Sequence, residues 1–185
     1  IHAERARYPR EAMRMSFTSN HDENSWSGSE QSRFGRALEV MTAMTFLMPS
    51  TMPLIYTGQE VGYDHSFEFF DRDTLPSLIA NEHTQLYRRL INLKHTQRAL
   101  DSGERGGRII EIENNAKDCI MTFVRECGDS RVVAILNLSP YTIHADFNTG
   151  IYAGSYYDAL TGEQTTLPTH FEQDIEPWGY TILHK

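Results

Sequence analysis

The spacing of apolar and polar positions changes period once, near residue 100. From Arg33 to Leu47 apolar groups recur at Phe34, Ala37, Leu38, Met41, Met44 and Phe46, which is one face of a helix, with Ser29 and Ser32 ahead of it as capping residues. Pro49 ends that helix. Pro53 to Thr57 is a short apolar run closed by Gly58, the pattern of a strand covered on both faces, and Met13 to Thr18 is a second short strand upstream. Strand, helix and strand in that order predict a parallel α/β unit. A further helix is predicted from about Asn81 to Arg98, with Leu86, Leu90, Ile91 and Leu93 on its apolar side. Past Leu100 the pattern turns to short β-rich runs: Arg108 to Ile112, Cys119 to Glu126, Arg131 to Leu138, Thr142 to Phe147, Ser155 to Asp158 and Gly179 to Leu183. Turn signals such as Gly106-Gly107, Asn114-Asn115, Gly128-Asp129 and Ser139-Pro140 separate them, which predicts an antiparallel sandwich or meander. The fold class expected is α/β plus all-β, divided into residues 1–100 and 101–185. With no low-complexity linker between them, the two parts should pack directly on each other.

Composition narrows the partners more than the fold. A formal net charge of -8 leaves no excess of Lys and Arg to neutralise phosphates, so nucleic acid and anionic membrane are poor partners and a neutral or cationic ligand suits better. The longest apolar stretch, Thr42 to Tyr56, is broken by Pro49, Ser50, Thr51 and Pro53 and cannot span a bilayer. The charged opening residues Ile1 to Arg14 lack a signal-peptide core, and the chain is expected to be cut from a longer one. Cys119 and Cys127, eight positions apart in one predicted strand, would lie about 26 Å apart at strand rise, too far for a disulfide. Free thiols do not by themselves fix a cellular compartment.

The residues that could carry chemistry cluster after the first strand. Phe17-Thr18-Ser19-Asn20-His21-Asp22 places a His and a carboxylate at a strand's C-terminal end, where α/β barrels build active sites. Read alone, such a triplet is more often a solvated turn, and Asn20 in particular suits an Asx turn. Trp26 could offer an apolar face to a ligand or simply cover surface. Glu60 and Tyr63 could line a cleft rim, against the simpler reading of Glu60 as a carboxylate bonding neighbouring loop amides. The aromatics of Phe67 to Asp73 suit core or lid packing, and Met41, Met44, Met48 and Met52 suit core filling.

Phe17 to Asp22 resembles the fourth short conserved region of the α-amylase family of glycoside hydrolases (family 13-like), at the end of its barrel's seventh strand. Pro53-Leu54-Ile55-Tyr56-Thr57-Gly58-Gln59-Glu60 is similar to the eighth strand of the same family, and Pro177-Trp178-Gly179-Tyr180 to the end of its C-terminal domain. The resemblance covers nearly the whole chain. It implies that 1–100 is the C-terminal part of a TIM (β/α)8 barrel, with strands seven and eight, and that 101–185 is the C-terminal antiparallel β-sandwich. It also implies a retaining mechanism with two carboxylates expected upstream of Ile1, since no Gly-x-Arg-x-Asp segment occurs here. Asp22 matches the family's third acid, which holds sugar hydroxyls at the cleaved residue. His21 would donate a hydrogen bond to the sugar, with Asn20 and Trp26 as further binding residues.

The ligand implied is an α-glucan such as starch, glycogen or a maltooligosaccharide, cleaved at α-1,4 bonds. The 185 residues are expected to be inactive without the two missing acids. Transglycosylation is the related alternative. A catalytically dead amylase-like scaffold is the non-enzymatic one, and a sugar-binding tail using Tyr152, Tyr156 and Tyr157 is the third. No cofactor or metal site is expected in this chain, although structural calcium is common in the family. An incomplete barrel predicts self-association through its uncovered sheet, or local disorder over Ile1 to Ser29.

Overall fold

The computed structural model describes residues 7–9 and 11–185. The opening stretch therefore lies partly outside the described residues, and with it part of the expectation of disorder over 1–29. From residue 14 onward a short parallel pair forms. Strand β1 (Arg14–Ser16) lies beside β2 (Thr51–Pro53), with Met15 opposite Met52. Between them run helix α1 (His21–Ser27), helix α2 (Glu30–Phe34), a 3-10 turn (Gly35–Ala37) and helix α3 (Leu38–Leu47). This is the strand, helix and strand order expected, with two corrections.

The single helix predicted over 33–47 is interrupted. Gly35 has φ +50°, a left-handed conformation that a residue with a side chain seldom adopts, and it separates α2 from α3. Ser29, as predicted, caps the helical stretch, its Oγ accepting the Ser32 amide at 3.2 Å. The second correction concerns the strand at 53–57. Pairing begins earlier, at Thr51, and ends because the backbone after Leu54 turns inward: the Tyr56 amide donates to Gln59 Oε1 and the Gln59 amide donates to Tyr56 O at 3.1 Å. Nor are both faces covered, since Met13, Met15, Phe17 and Met52 are exposed. Met52 is thus not core filler, whereas Met41, Met44 and Met48 pack against the core.

Helix α4 (Glu82–Thr96) starts at Asn81 with reciprocal side-chain and backbone bonds between Asn81 and Thr84. It buries Leu90 and Leu93 as expected, and also Tyr87, whose aromatic ring stacks edge-on to Phe46 of α3.

From residue 109 the chain is antiparallel β structure. One sheet has six strands in the order β3 (Ile109–Glu111), β5 (Ile120–Cys127), β6 (Ser130–Asn137), β11 (Tyr180–His184), β8 (Gly154–Asp158) and β9 (Gln164–Leu167). The other has three, β10 (His170–Ile175), β7 (Ile143–Asn148) and β4 (Glu113–Asn114). β6 shows why its apolar run is unbroken: successive side chains point to opposite faces, and each face is covered by something different. Val132, Ala134 and Leu136 join a cluster with Val40, Phe46, Leu90 and Leu93 of the helices, whereas Val133 and Ile135 face the other way, Ile135 onto Ala145 and Phe147 of the small sheet.

β4, β9 and β10 escape the sequence pattern because they are mostly exposed and carry polar residues, so they show little hydrophobic alternation. Both cysteines are free.

A buried arginine ties the helices to the large sheet. Arg125 of β5 is fully enclosed, donating from Nη1 to Leu47 O and Met48 O at 3.0 and 3.2 Å, from Nη2 to Asp101 O at 3.2 Å and from Nε to Gly107 O at 3.0 Å. The first two acceptors are at the C-terminal end of α3, where carbonyls lack helical partners and a cation is favoured. Gly106 allows the approach, because a Cβ there would meet Asp101 O at 1.9 Å and the guanidinium at 2.7 Å.

Candidate functional site

The chain leaves β1 through Phe17, Thr18 and Ser19 and enters α1 directly. Asn20 is the N-cap, its Oδ1 accepting the Glu23 amide at 2.8 Å. His21 and Asp22 thus stand in the first turn of a helix, where a carboxylate is favoured by the unpaired amides. Both side chains are exposed, with His21 Nε2 3.5 Å from Asp22 Oδ2. The loop predicted here is replaced by a helix, and the Asn20 side-chain oxygen is committed to the cap.

Beneath this turn lies a buried polar network. Glu30, 4% exposed, accepts from Thr18 Oγ1 at 2.9 Å and from Gln59 Nε2. Gln59 Nε2 also donates to Thr18 Oγ1 at 2.8 Å. Arg33 Nη2 donates to Thr18 O at 2.7 Å, and its Nη1 lies 3.4 Å from Glu23 Oε2. A single carboxylate thereby links the exits of β1 and β2 through hydrogen bonds with little solvent competition.

A second set of bonds holds the loop that follows. Asn24, buried on α1, donates from Nδ2 to His65 O at 2.9 Å and accepts the Phe67 amide at Oδ1, 2.7 Å. Ser29 Oγ donates to Asp64. Asp73 closes the loop on itself, accepting the Glu68 amide at 2.9 Å and the Thr74 amide at 2.6 Å, and lying 2.9 Å from His65 Nε2. Those partners favour its charged form and lower its pKa to about 2, with the Glu68 amide first, the His65 side chain second and the Thr74 amide third. This brings Trp26 and Phe69 to 5.3 Å between ring centroids, with Phe69 and Phe70 4.7 Å apart and His21 6.0 Å from Phe69.

His21, Asp22 and Trp26 therefore share one short helix, with Asn20 as its N-cap. Glu60 takes the plainer of its two readings, accepting the Gly58 amide at 2.9 Å. Tyr63 packs beside His65 and Phe67. Asn24, Glu30, Gln59 and Asp73 were not foreseen. Of the tyrosines offered for a sugar-binding tail, Tyr156 is core, 1% exposed with its hydroxyl donating to Tyr152 O at 2.6 Å, and Tyr152 lies under the Arg131 guanidinium. Tyr157 is exposed. Among the described residues no group of three or more His, Cys, Asp or Glu is arranged to hold a metal ion, and no helix is long and apolar enough to cross a membrane.

The class this architecture defines is a short parallel β-α-β unit joined to a two-sheet antiparallel β body, and comparison with known proteins shows what it is similar to. Residues 111–180 match the model of the α-amylase C-terminal all-β domain. The maltogenic α-amylase AmyB of Thermotoga neapolitana superposes with a TM-score of 0.79 at 18% identity, over 98% of this chain and 43% of that one. An α-amylase of Lactobacillus plantarum gives 0.73 at 20% identity, over 100% and 41%. The acarbose-soaked debranching enzyme of Nostoc punctiforme gives 0.71 at 18%, over 100% and 36%. No curated protein gives a significant sequence match. The chain spans less than half the length of those enzymes. The whole chain thus shares its fold with part of these α-amylase-family enzymes, and residues 111–180 match the family's C-terminal domain model.

Proposed function

We propose that these residues are the C-terminal part of a retaining glycoside hydrolase acting on α-1,4-glucans, with 1–100 closing a (β/α)8 barrel as its seventh and eighth strands and 101–185 forming the β-sandwich behind it. The observation that carries the reading is the placement of His21 and Asp22, exposed together immediately after a parallel strand and held from below by the Thr18, Glu30 and Gln59 network. In this role Asp22 accepts hydrogen bonds from sugar hydroxyls at the cleaved residue and stabilises positive charge developing on the ring, while His21 fixes the ring's register. Trp26 supplies an apolar face. The nucleophile and the acid/base belong to other segments of the parent enzyme, so the 185 residues bind glucan and do not cleave it.

The test is a maltoheptaose titration of the chain followed by calorimetry. Asp22→Asn and His21→Ala are each expected to weaken binding about fivefold or more while the unfolding midpoint stays put, because both groups are exposed. Unchanged affinity in both variants would sink the proposal. So would release of reducing ends from soluble starch by the purified chain.

The exposed face of β1 and β2, carrying Met13, Met15, Phe17 and Met52, is the surface that the rest of the barrel would cover. On its own the chain is expected to self-associate there. Light scattering of Met15→Lys should show a shift toward monomer, and an unchanged mass would place the contact elsewhere.

A further inference from the structure

A cavity of about 580 Å3 opens where the helical stretch 31–39, the first turn of α4 and the turn leading into β11 meet. Its size falls within the roughly 300–1,000 Å3 of small-molecule sites. The lining mixes the two kinds of contact that such a ligand needs: Leu38, Leu160 and Trp178 are apolar, and Arg36, Glu39, His83 and Tyr180 exchange hydrogen bonds. None of Asn20, His21, Asp22 and Trp26 belongs to it.

Two features of the lining are costly to the fold. Trp178 has φ +60°, and among the described residues only Ser50 and Trp178 combine a side chain with a positive value. A bulky residue seldom takes that conformation, and such strain persists where the surroundings impose it, above all at ligand sites. Here the Trp178 amide donates to Ser139 O at 3.1 Å and the Gly179 amide to Glu176 O at 2.8 Å, which keeps the indole at the cavity wall. The second feature is Gln31, another lining residue, whose two amide atoms are enclosed without a hydrogen-bond partner. A hydroxyl group is donor and acceptor at once, so it satisfies either half of such an amide.

The charges narrow the ligand further. Arg36 and Glu39 bring one charge of each sign, the Tyr180 hydroxyl donates to Glu39 Oε2 at 3.2 Å, and among the described residues the Arg36 side chain has no hydrogen bond or ion pair. A lining with donors and acceptors but no excess charge suits a neutral polyhydroxylated molecule, whose C–H face packs on the indole. The net charge of -8 disfavours an anion.

We infer that this junction is a binding site for a neutral mono- or disaccharide, and that an occupied site fastens the helices to the β body, because both contribute its lining. The inference goes beyond the function proposed above and shares no residue with it.

The experiment is titration of the whole chain with glucose and maltose, with gluconate as an anionic control, in a Trp26→Phe background where Trp178 is the one remaining tryptophan. Its fluorescence should change saturably with the neutral sugars and not with gluconate. Arg36→Ala and Glu39→Ala, both at exposed positions, should each weaken that response about tenfold with circular dichroism unchanged. Saturating sugar should raise the unfolding midpoint and slow amide exchange over 31–39 and 178–180 together. No saturable response, or an equal response to gluconate, overturns the inference. If Asp22→Asn removes the response while Arg36→Ala and Glu39→Ala spare it, the sugar sits beside Asp22, so the function stands and the junction site is wrong. If maltoheptaose binding ignores His21 and Asp22 while the Trp178 response depends on Arg36 and Glu39, the function falls and the junction site stands.

Discussion

The turn after β1 and the β body satisfy their polar groups in opposite ways. Among the described residues, the buried side-chain polar atoms without a hydrogen-bond partner are Ser19 Oγ, both amide atoms of Gln31 and Arg33 Nε, and all lie within residues 19–33. None lies in the β body, where even a fully enclosed Arg125 has several carbonyl acceptors and Asn137 donates to Tyr141 O, Ile175 O and Glu176 O. Exposed aromatics occur in both, with Tyr141 and Tyr157 in the β body, but Trp26, Phe69 and Phe70 are grouped around the helix that carries Asp22. Native structures pair nearly all buried polar groups, and the exceptions tend to gather where function competes with stability. The contrast sets residues 19–33 apart from the β body independently of any motif.

Arg125 offers the largest expected effect. Arg125→Met keeps much of the side-chain volume but strips hydrogen bonds from Leu47 O, Met48 O, Gly107 O and Asp101 O in a buried setting. Leaving several such acceptors unpaired should cost roughly 3–5 kcal/mol. Thermal and denaturant unfolding would measure it, and a loss below about 1 kcal/mol would show that helices and sheet are held by apolar packing alone.

Glu30 comes next. Glu30→Ala removes the acceptor shared by Thr18 and Gln59, and should cost about 2 kcal/mol. Because the network ties the two strand exits together, amide exchange should quicken around 54–64 and 18–22, with the β body untouched. Uniform exchange across the chain would break the distinction between the two regions.

How far the sequence revealed this contrast depends on the distance between partners. The α4 face with Leu90 and Leu93, and the unbroken apolar run of β6, can be read locally because burial repeats with the period of the element. The helix after β1 carried a local signal too, Asn20 followed three positions later by Glu23, the spacing of a capping residue and its partner, obscured by reading the triplet as loop. The Gly35 interruption was not legible from apolar spacing, which continues across it. The supporting bonds were least visible: Asn24 meets its loop 41 positions along the chain, and Glu30 meets Gln59 29 positions along, spacings that no local period encodes. His21 and Asp22 could be picked out by motif, but not the groups that hold them.

Asp73 gives the smallest effect and the sharpest separation of the two regions. Its pKa is lowered from 3.8 to about 2 in the folded chain by the Glu68 amide, His65 and the Thr74 amide. A carboxyl with a depressed folded pKa binds its proton more readily unfolded. Its stabilising contribution is therefore present above the unfolded value and is lost as pH falls from about 4 through about 2. Over that window the loop carrying Phe69 and Phe70 should loosen, and Trp26 fluorescence should shift as its aromatic neighbours move. Asp73→Asn should show the loosened signal already at pH 6, and little further change down to pH 3. The β body has no stake in this carboxylate, so near-ultraviolet bands from its buried Tyr156 should hold steady while Trp26 responds. If the two signals change together, acid acts on the whole fold, and Asp73 is not what fastens the aromatic cluster of Trp26, Phe69 and Phe70.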